Sequence, residues 1–141
     1  MDLLDTLQIS ASGLAAERVR LQSVASNLAN ARTTRTAEGV GPYQRRAPVF
    51  EASPLDEFGD LFDRELSEVR VADVEVVPSP GIAAYDPAHP DADANGFVHY
   101  PDIDMLSEMV DLMTASRSYE ADANVLDTTL QLARRALQIG S

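Results

Sequence analysis

The chain has 141 residues, a net charge of −12 and no cysteine. That length allows one domain, or one small domain with an extension. It excludes disulfides and thiol chemistry, and so large an acidic excess argues against nucleic acid as a partner, because phosphate binding needs a basic stripe. All 11 basic residues are arginine, and no run of 18 apolar residues is present, so no transmembrane helix is expected. Met1-Asp2-Leu3-Leu4-Asp5 lacks the basic start and apolar stretch of a secretory signal peptide.

Taken in chain order, the first expected element is a helix from about Asp2 to Ala31. Leu4, Leu7, Ala11, Leu14, Arg18, Leu21, Ala25 and Leu28 follow the three-and-four spacing of a heptad. Gly13 lies inside it among Ser10, Ala11, Ser12, Ala15 and Ala16. A mid-helix glycine costs about 1 kcal/mol relative to alanine and asks for a packing reason. We expect a surface pared down for close approach by another helix. Asn27 and Asn30 are poor helix residues and are expected to mark a fraying end.

Residues 32–101 are rich in Pro and Gly and read as short strands and loops, at most a small β subdomain. A weakly alternating segment runs from Gly41-Pro42-Tyr43 to Phe50. The acidic stretch Pro54–Glu65, with Leu55, Phe58, Leu61 and Phe62 at helical spacing, suggests a short surface helix or an ordered loop. Glu68 to Val77 alternates cleanly and is valine-rich, so a strand is expected, ended by Pro78 and Pro80. Asn95-Gly96 before Phe97-Val98-His99-Tyr100 reads as a turn into a strand.

The last element is a helix from about Asp102 to Ile139. Met105, Met109, Leu112, Ser116, Tyr119, Ala123, Leu126, Leu130, Ala133 and Leu137 form its stripe. Asp102 or Asp104 can cap its start, Glu108 suits its positive end, Arg134 and Arg135 its negative end, and Gly140 can stop it. Neither terminal stripe has a core of its own, so the two are expected to face each other as a coiled-coil-like bundle. The fold class is therefore mainly α with a β-containing middle, divided as residues 1–31, 32–101 and 102–141.

Little in the chain suggests catalysis. Asp91, Asp93, Asn95 and Gly96, with Asp102 at the twelfth position, imitate the start of a calcium loop. Pro87, Pro90 and Pro101 deny it flanking helices, so an Asx-rich turn is the better reading. His89 and His99 lie near Asp86, Asp91 and Asp93 without a ligand spacing. No nucleophile elbow, phosphate loop or paired-histidine helix occurs. We expect no enzyme, cofactor or metal.

Ser10-Ala11-Ser12-Gly13-Leu14-Ala15-Ala16-Glu17-Arg18-Val19-Arg20-Leu21, leading to Ser26-Asn27-Leu28-Ala29-Asn30 and Thr33-Thr34, resembles the N-terminal signature of bacterial flagellar axial proteins, the rod and hook family. Gly41-Pro42-Tyr43-Gln44-Arg45-Arg46, Tyr85 to Asp93, Gly96 to Pro101, Glu108 to Asp111 and Ala115 to Ala121 narrow the resemblance to a rod subunit. Asp102 and Asp122 stand where the family usually has Asn. The resemblance implies a structural protein, exported through the flagellar type III apparatus without a cleaved signal. It would polymerise helically, with itself and other rod proteins, into the shaft carrying torque across the periplasm. Its other contacts would be the junction with the membrane ring and export gate, without membrane insertion. Leu7, Gly13, Leu14, Leu21, Asn27, Leu28 and Asn30 from the first helix would form the assembly interface. Met109, Leu112, Tyr119, Leu126, Leu130 and Leu137 from the last would complete it. The alternative from another class is a soluble helical adaptor or export-chaperone-like module holding a partner helix in its seams. A calcium-responsive module or hydrolase built on Asp91, Asp93 and the histidines is a third reading.

Overall fold

A computed structural model describes residues 3–37, 41–55 and 66–139. The element order is α1 (Leu3–Ala29), β1 (Arg45–Pro54), β2 (Ser67–Val77), β3 (Ile82–Tyr85), β4 (Phe97–Tyr100) and α2 (Met105–Ile139). Both terminal helices form close to their expected bounds, and the fold is mainly α. No helix among the described residues is long and apolar enough to cross a membrane. Most of the acidic stretch Pro54–Glu65, and Gly140, lie outside the described residues.

The helices pack against each other in opposite directions. Gly13 meets Asp122, Arg20 approaches Asp111 at 3.5 Å, and Asn27 bonds Glu108. Moving up one helix moves down the other, so the pair is antiparallel. At about 1.5 Å per residue α1 is about 40 Å long and α2 about 52 Å, so α2 runs past Leu3.

Helix starts and stops follow local chemistry. Asp104 Oδ1 accepts the amide of Leu106 at 3.0 Å, capping α2. Asp102 instead accepts from Ser79 Oγ at 3.3 Å. Asn30 closes α1, its side chain donating to the Ser26 carbonyl at 2.9 Å and accepting from Thr33 Oγ1 at 3.1 Å.

β1 and β2 form an antiparallel hairpin with a bulge between Val49 and Phe50. Val49 faces Asp73 and Phe50 faces Val71, so Ala72 is the extra residue. The hairpin lies along α1. Its tip end is held by Gln8 donating to Glu68 at 3.1 Å and by the Val69 amide donating to Ser12 Oγ at 3.2 Å. Its base reaches Asn27.

β3 and β4 form a second, separate pair. No alternation or turn pair announces β3, which has only four residues. Gly81, at φ +77, is required here because a Cβ would stand 2.6 Å from the Tyr100 carbonyl. Gln44 ties this unit back by accepting the Ser79 amide at 2.7 Å and donating to its carbonyl at 3.1 Å.

The Asx-rich turn between β3 and β4 forms as the sequence suggests. Asp93 Oδ1 accepts the amides of Asn95 at 2.8 Å and Phe97 at 2.9 Å. Asp91 takes Thr34 Oγ1 at 2.7 Å and the Arg35 guanidinium at 2.5 Å. His89 Nδ1 accepts the Asp91 amide at 3.1 Å. The Phe97 amide, with help from the amides of Asn95 and Gly96 and the nearby His99, holds the Asp93 carboxyl below its ordinary value of 3.8. A depressed carboxyl stabilises the fold above its unfolded pKa and stops doing so as pH falls through the folded one. The protection of the Asn95 and Phe97 amides, measured against an unfolded peptide at the same pH, should therefore hold at neutral pH and be lost only as pH falls below the ordinary carboxyl range. Asp93→Ala should lack that protection at every pH. Equal protection in wild type and variant at pH 7 would remove Asp93 as the organiser of this turn.

Candidate assembly surface

Behind the surface lies a buried polar cluster that joins both termini to the middle. Asn27 is 0% exposed and Glu108 2%. Asn27 Nδ2 donates to the Arg46 carbonyl at 2.9 Å and to Glu108 Oε2 at 3.0 Å. Its Oδ1 accepts the Arg46 amide at 2.9 Å and the Tyr43 hydroxyl at 3.1 Å. All four hydrogen-bonding positions of the carboxamide are used. The same pairing of donor and acceptor with one residue's N–H and C=O is how a strand neighbour would bind Arg46. Arg45 Nε donates to Glu108 Oε1 at 2.6 Å, and Ser26 Oγ lies 3.0 Å from the Tyr43 hydroxyl. Asn27 thus sits in an intact helix turn, and the expectation that it frays is corrected. A poor helix former is held there because the strand start and α2 together complete its hydrogen bonds.

The expected seam on α1 is split. Leu7, Leu14, Leu21 and Leu28 are half-buried, whereas Leu4, Ala11, Arg18 and Ala25 are exposed. The residues most deeply buried on α1 are Ser10, Ala16, Ser23, Val24 and Asn27. Gly13 is half-buried and faces α2 of its own subunit, where a Cβ would stand 2.8 Å from Asp122 Oδ2. Asn30 is half-buried at the helix end.

α2 departs further from the expected seam. Leu112 and Leu126 are half-buried, but Met109, Tyr119, Leu130 and Leu137 are exposed, Leu137 at 75%. Its inward row is small or polar instead: Glu108, Ala115 and Thr129 are buried, with Asp111 and Asp122 half-buried between them. The physical reason is that a single antiparallel partner covers only a narrow strip, and polar cross-links to Asn27 and Arg20 fix which strip it is. The large apolar side chains are turned outward. Met105, Leu106, Met109, Val110 and Met113 are each more than half exposed and share the first two turns and a half of α2. Arg134 and Arg135 are exposed just before the last turn rather than within it. Among the described residues, no three His, Asp or Glu side chains converge as a metal site.

Two family models match the two helical ends. "Flagella basal body rod protein" covers residues 7–35, and "Flagellar basal body rod FlgEFG protein C-terminal" covers residues 94–139. Between them they span α1 from residue 7 with the turn after it, and β4 with α2. Whole-length relatives agree. The flagellar basal-body rod protein FlgC of Borreliella burgdorferi is 36% identical over 99% of this chain and 98% of its own. That of Aquifex aeolicus is 40% identical over 98% and 97%. That of Salmonella typhimurium is 39% identical over 99% of each. With the antiparallel terminal helices and this identity across nearly every residue, the chain belongs to the FlgC family of flagellar basal-body rod proteins.

Proposed function

We propose that this protein is a structural subunit of the proximal rod of the bacterial flagellar basal body, built into the shaft that carries motor torque across the periplasm. The observation that carries the reading is the outward apolar face of α2, Met105 to Met113, in a chain of this family. Contiguous exposed apolar surface on a soluble subunit marks a protein interface. In this reading residues 1–31 and 102–141 form the axial core and residues 32–101 the outer part. The terminal helices pack in coiled-coil fashion with those of neighbours. On α1, Leu4, Ala11, Arg18 and Ala25 offer a second row at heptad spacing. Contacts of two different faces do not close on themselves, so they build a helix of subunits. The neighbours are copies of this chain and other rod proteins, with the membrane-ring and export-gate junction at one end. Export proceeds through the type III apparatus without a cleaved signal.

The test separates folding from assembly. Met109→Glu and Met113→Glu replace exposed side chains, so far-UV circular dichroism and the urea midpoint should hold within about 0.5 kcal/mol. Purified basal bodies should then lack the subunit, because a carboxylate without a partner in a closed interface costs several kcal/mol. Wild-type abundance of either variant in basal bodies would reject this face of α2.

A further inference from the structure

The chain has four methionines, no cysteine and no tryptophan. Thioethers are therefore the side chains that a two-electron oxidant converts most readily here. Met1 lies outside the described residues, and the other three stand in a line on α2. Met105, Met109 and Met113 are four residues apart, so each step advances about 40° around the helix and about 6 Å along it. They are 51%, 54% and 58% exposed, and Leu106 and Val110 fill the spaces between them. The same side chains are turned away from the packing that holds the subunit together. The inward row of α2 is Glu108, Ala115 and Thr129, and Glu108 is fixed by Asn27 and Arg45. A chemical change at the three sulfurs alters the outer face of α2 and leaves these inner contacts in place.

We propose that Met105, Met109 and Met113 form a reversible oxidation site that governs whether the subunit can join the rod. The oxidant class is a peroxide. One peroxide oxygen bonds to the thioether sulfur as the O–O bond breaks. Sulfur gives up two electrons, and the other oxygen leaves as water. Each sulfoxide sets a dipole where the reduced side chain was apolar and flexible. A neighbour that covers this face must then bury up to three S=O groups, and Leu106 and Val110 offer them no donor. Dithiol-dependent sulfoxide reductases reverse the step: the oxygen leaves as water and the dithiol becomes a disulfide. The chain has no thiol of its own, so repair requires that the enzyme reach the sulfurs. Oxidation and repair are therefore both open to the free subunit and closed once a neighbour covers the face. The inference rests on the reading of this face as an assembly surface.

The test has two arms. In the first, the purified full chain and purified basal bodies meet the same dilute hydrogen peroxide, and peptide masses report the oxygen gained at each methionine. In the free chain all three should convert with the far-UV circular dichroism unchanged, and methionine sulfoxide reductases A and B together should restore them. In basal bodies they should convert at least about tenfold more slowly, because a covered side chain reacts only when the contact opens. Unreactive methionines in the free chain, or a loss of helical signal on oxidation, would overturn the site. Equal rates in the free chain and in basal bodies would show that this face is open in the rod, and the assembly reading of α2 would fail with the proposal. Basal bodies without the chain would reject the rod reading itself.

The second arm uses cells lacking sulfoxide reductases. Rod assembly is held back, the waiting subunits are oxidised, the peroxide is destroyed with catalase, and assembly is then released. Sulfoxide at Met105, Met109 and Met113 should be at least about tenfold rarer in the new basal bodies than in the unassembled pool, since burying unpaired polar groups weakens association by that much or more. A strain carrying Met105→Leu, Met109→Leu and Met113→Leu, compared only with its own untreated sample, should lose no incorporation on treatment, because leucine has no sulfur to oxidise. Equal sulfoxide in both wild-type pools, with the protection of the first arm intact, would overturn the switch and leave the rod reading standing. Equal losses in the wild-type and leucine strains would place the action of the peroxide on another component and overturn it as well.

Discussion

Asn27→Leu is expected to abolish stable folding of the subunit at 25 °C. The substitution strands the Arg46 amide and carbonyl, the Tyr43 hydroxyl and one oxygen of Glu108, which is 2% exposed. Each unsatisfied buried group costs about 1–3 kcal/mol, and a buried charge that loses support costs more. The sum reaches the whole stability of an ordinary small domain, about 5–15 kcal/mol. Urea denaturation followed by circular dichroism measures it. Asn27→Asp offers a sharper version, since it sets a second carboxyl where the amide nitrogen stood, 3.0 Å from Glu108. Two carboxylates at that distance cannot both ionise cheaply, so this variant should be weak at pH 7 and recover as pH falls and one proton is shared. An unchanged urea midpoint for Asn27→Leu would show that the cluster is incidental to stability.

The second large effect is expected at Gly13. An ideal Cβ there stands 2.8 Å from Asp122 Oδ2 and 3.4 Å from its Cγ. The obstruction is the end of a side chain, so Gly13→Ala needs only that the carboxylate turn aside. The helix propensity gained, about 1 kcal/mol, offsets that cost, and Ala should be close to neutral. Gly13→Leu adds three more carbons at the same contact and must part the helices, costing about 1–3 kcal/mol. It should also be lost from purified basal bodies. Asp122→Ala should restore part of the stability of Gly13→Leu, because it removes the atoms in the way. Additive, uncoupled effects of the two substitutions would show that Gly13 is not the point of closest approach.

The terminal helices could be read from heptad spacing because their apolar residues recur over many turns, and α2 starts where Asp104 can cap it. β2 could be read from its valines and β4 from the Asn95-Gly96 turn. β3 could not, because Ile82–Tyr85 is short and sits beside Pro80 and Gly81 with no alternation. The inward face of α2 was hidden for a different reason. Apolar periodicity points to the side with the largest side chains, yet Glu108, Ala115 and Thr129 are the buried ones. Glu108 is held inward by Asn27 and Arg45, residues 81 and 63 positions away, and no local pattern carries that information. Asn27 shows the same limit: its helix propensity is poor, and the four bonds that hold it in a helix come from other elements.

The antiparallel pairing sets a schedule for when the chain can become ordered. Asn27 meets a partner 81 residues later, and closing so long a loop costs about 4 kcal/mol of entropy before any contact forms. A chain delivered N-terminus first, from a ribosome or through a narrow channel, presents α1 long before Glu108 arrives. Until then the carboxamide of Asn27 lacks one of its anchors, and Gly13 lacks Asp122 beside it. The 35-residue α2 must therefore be present before Asn27 and Arg45 find Glu108, so the packing that joins the two termini is completed late in the making of the chain.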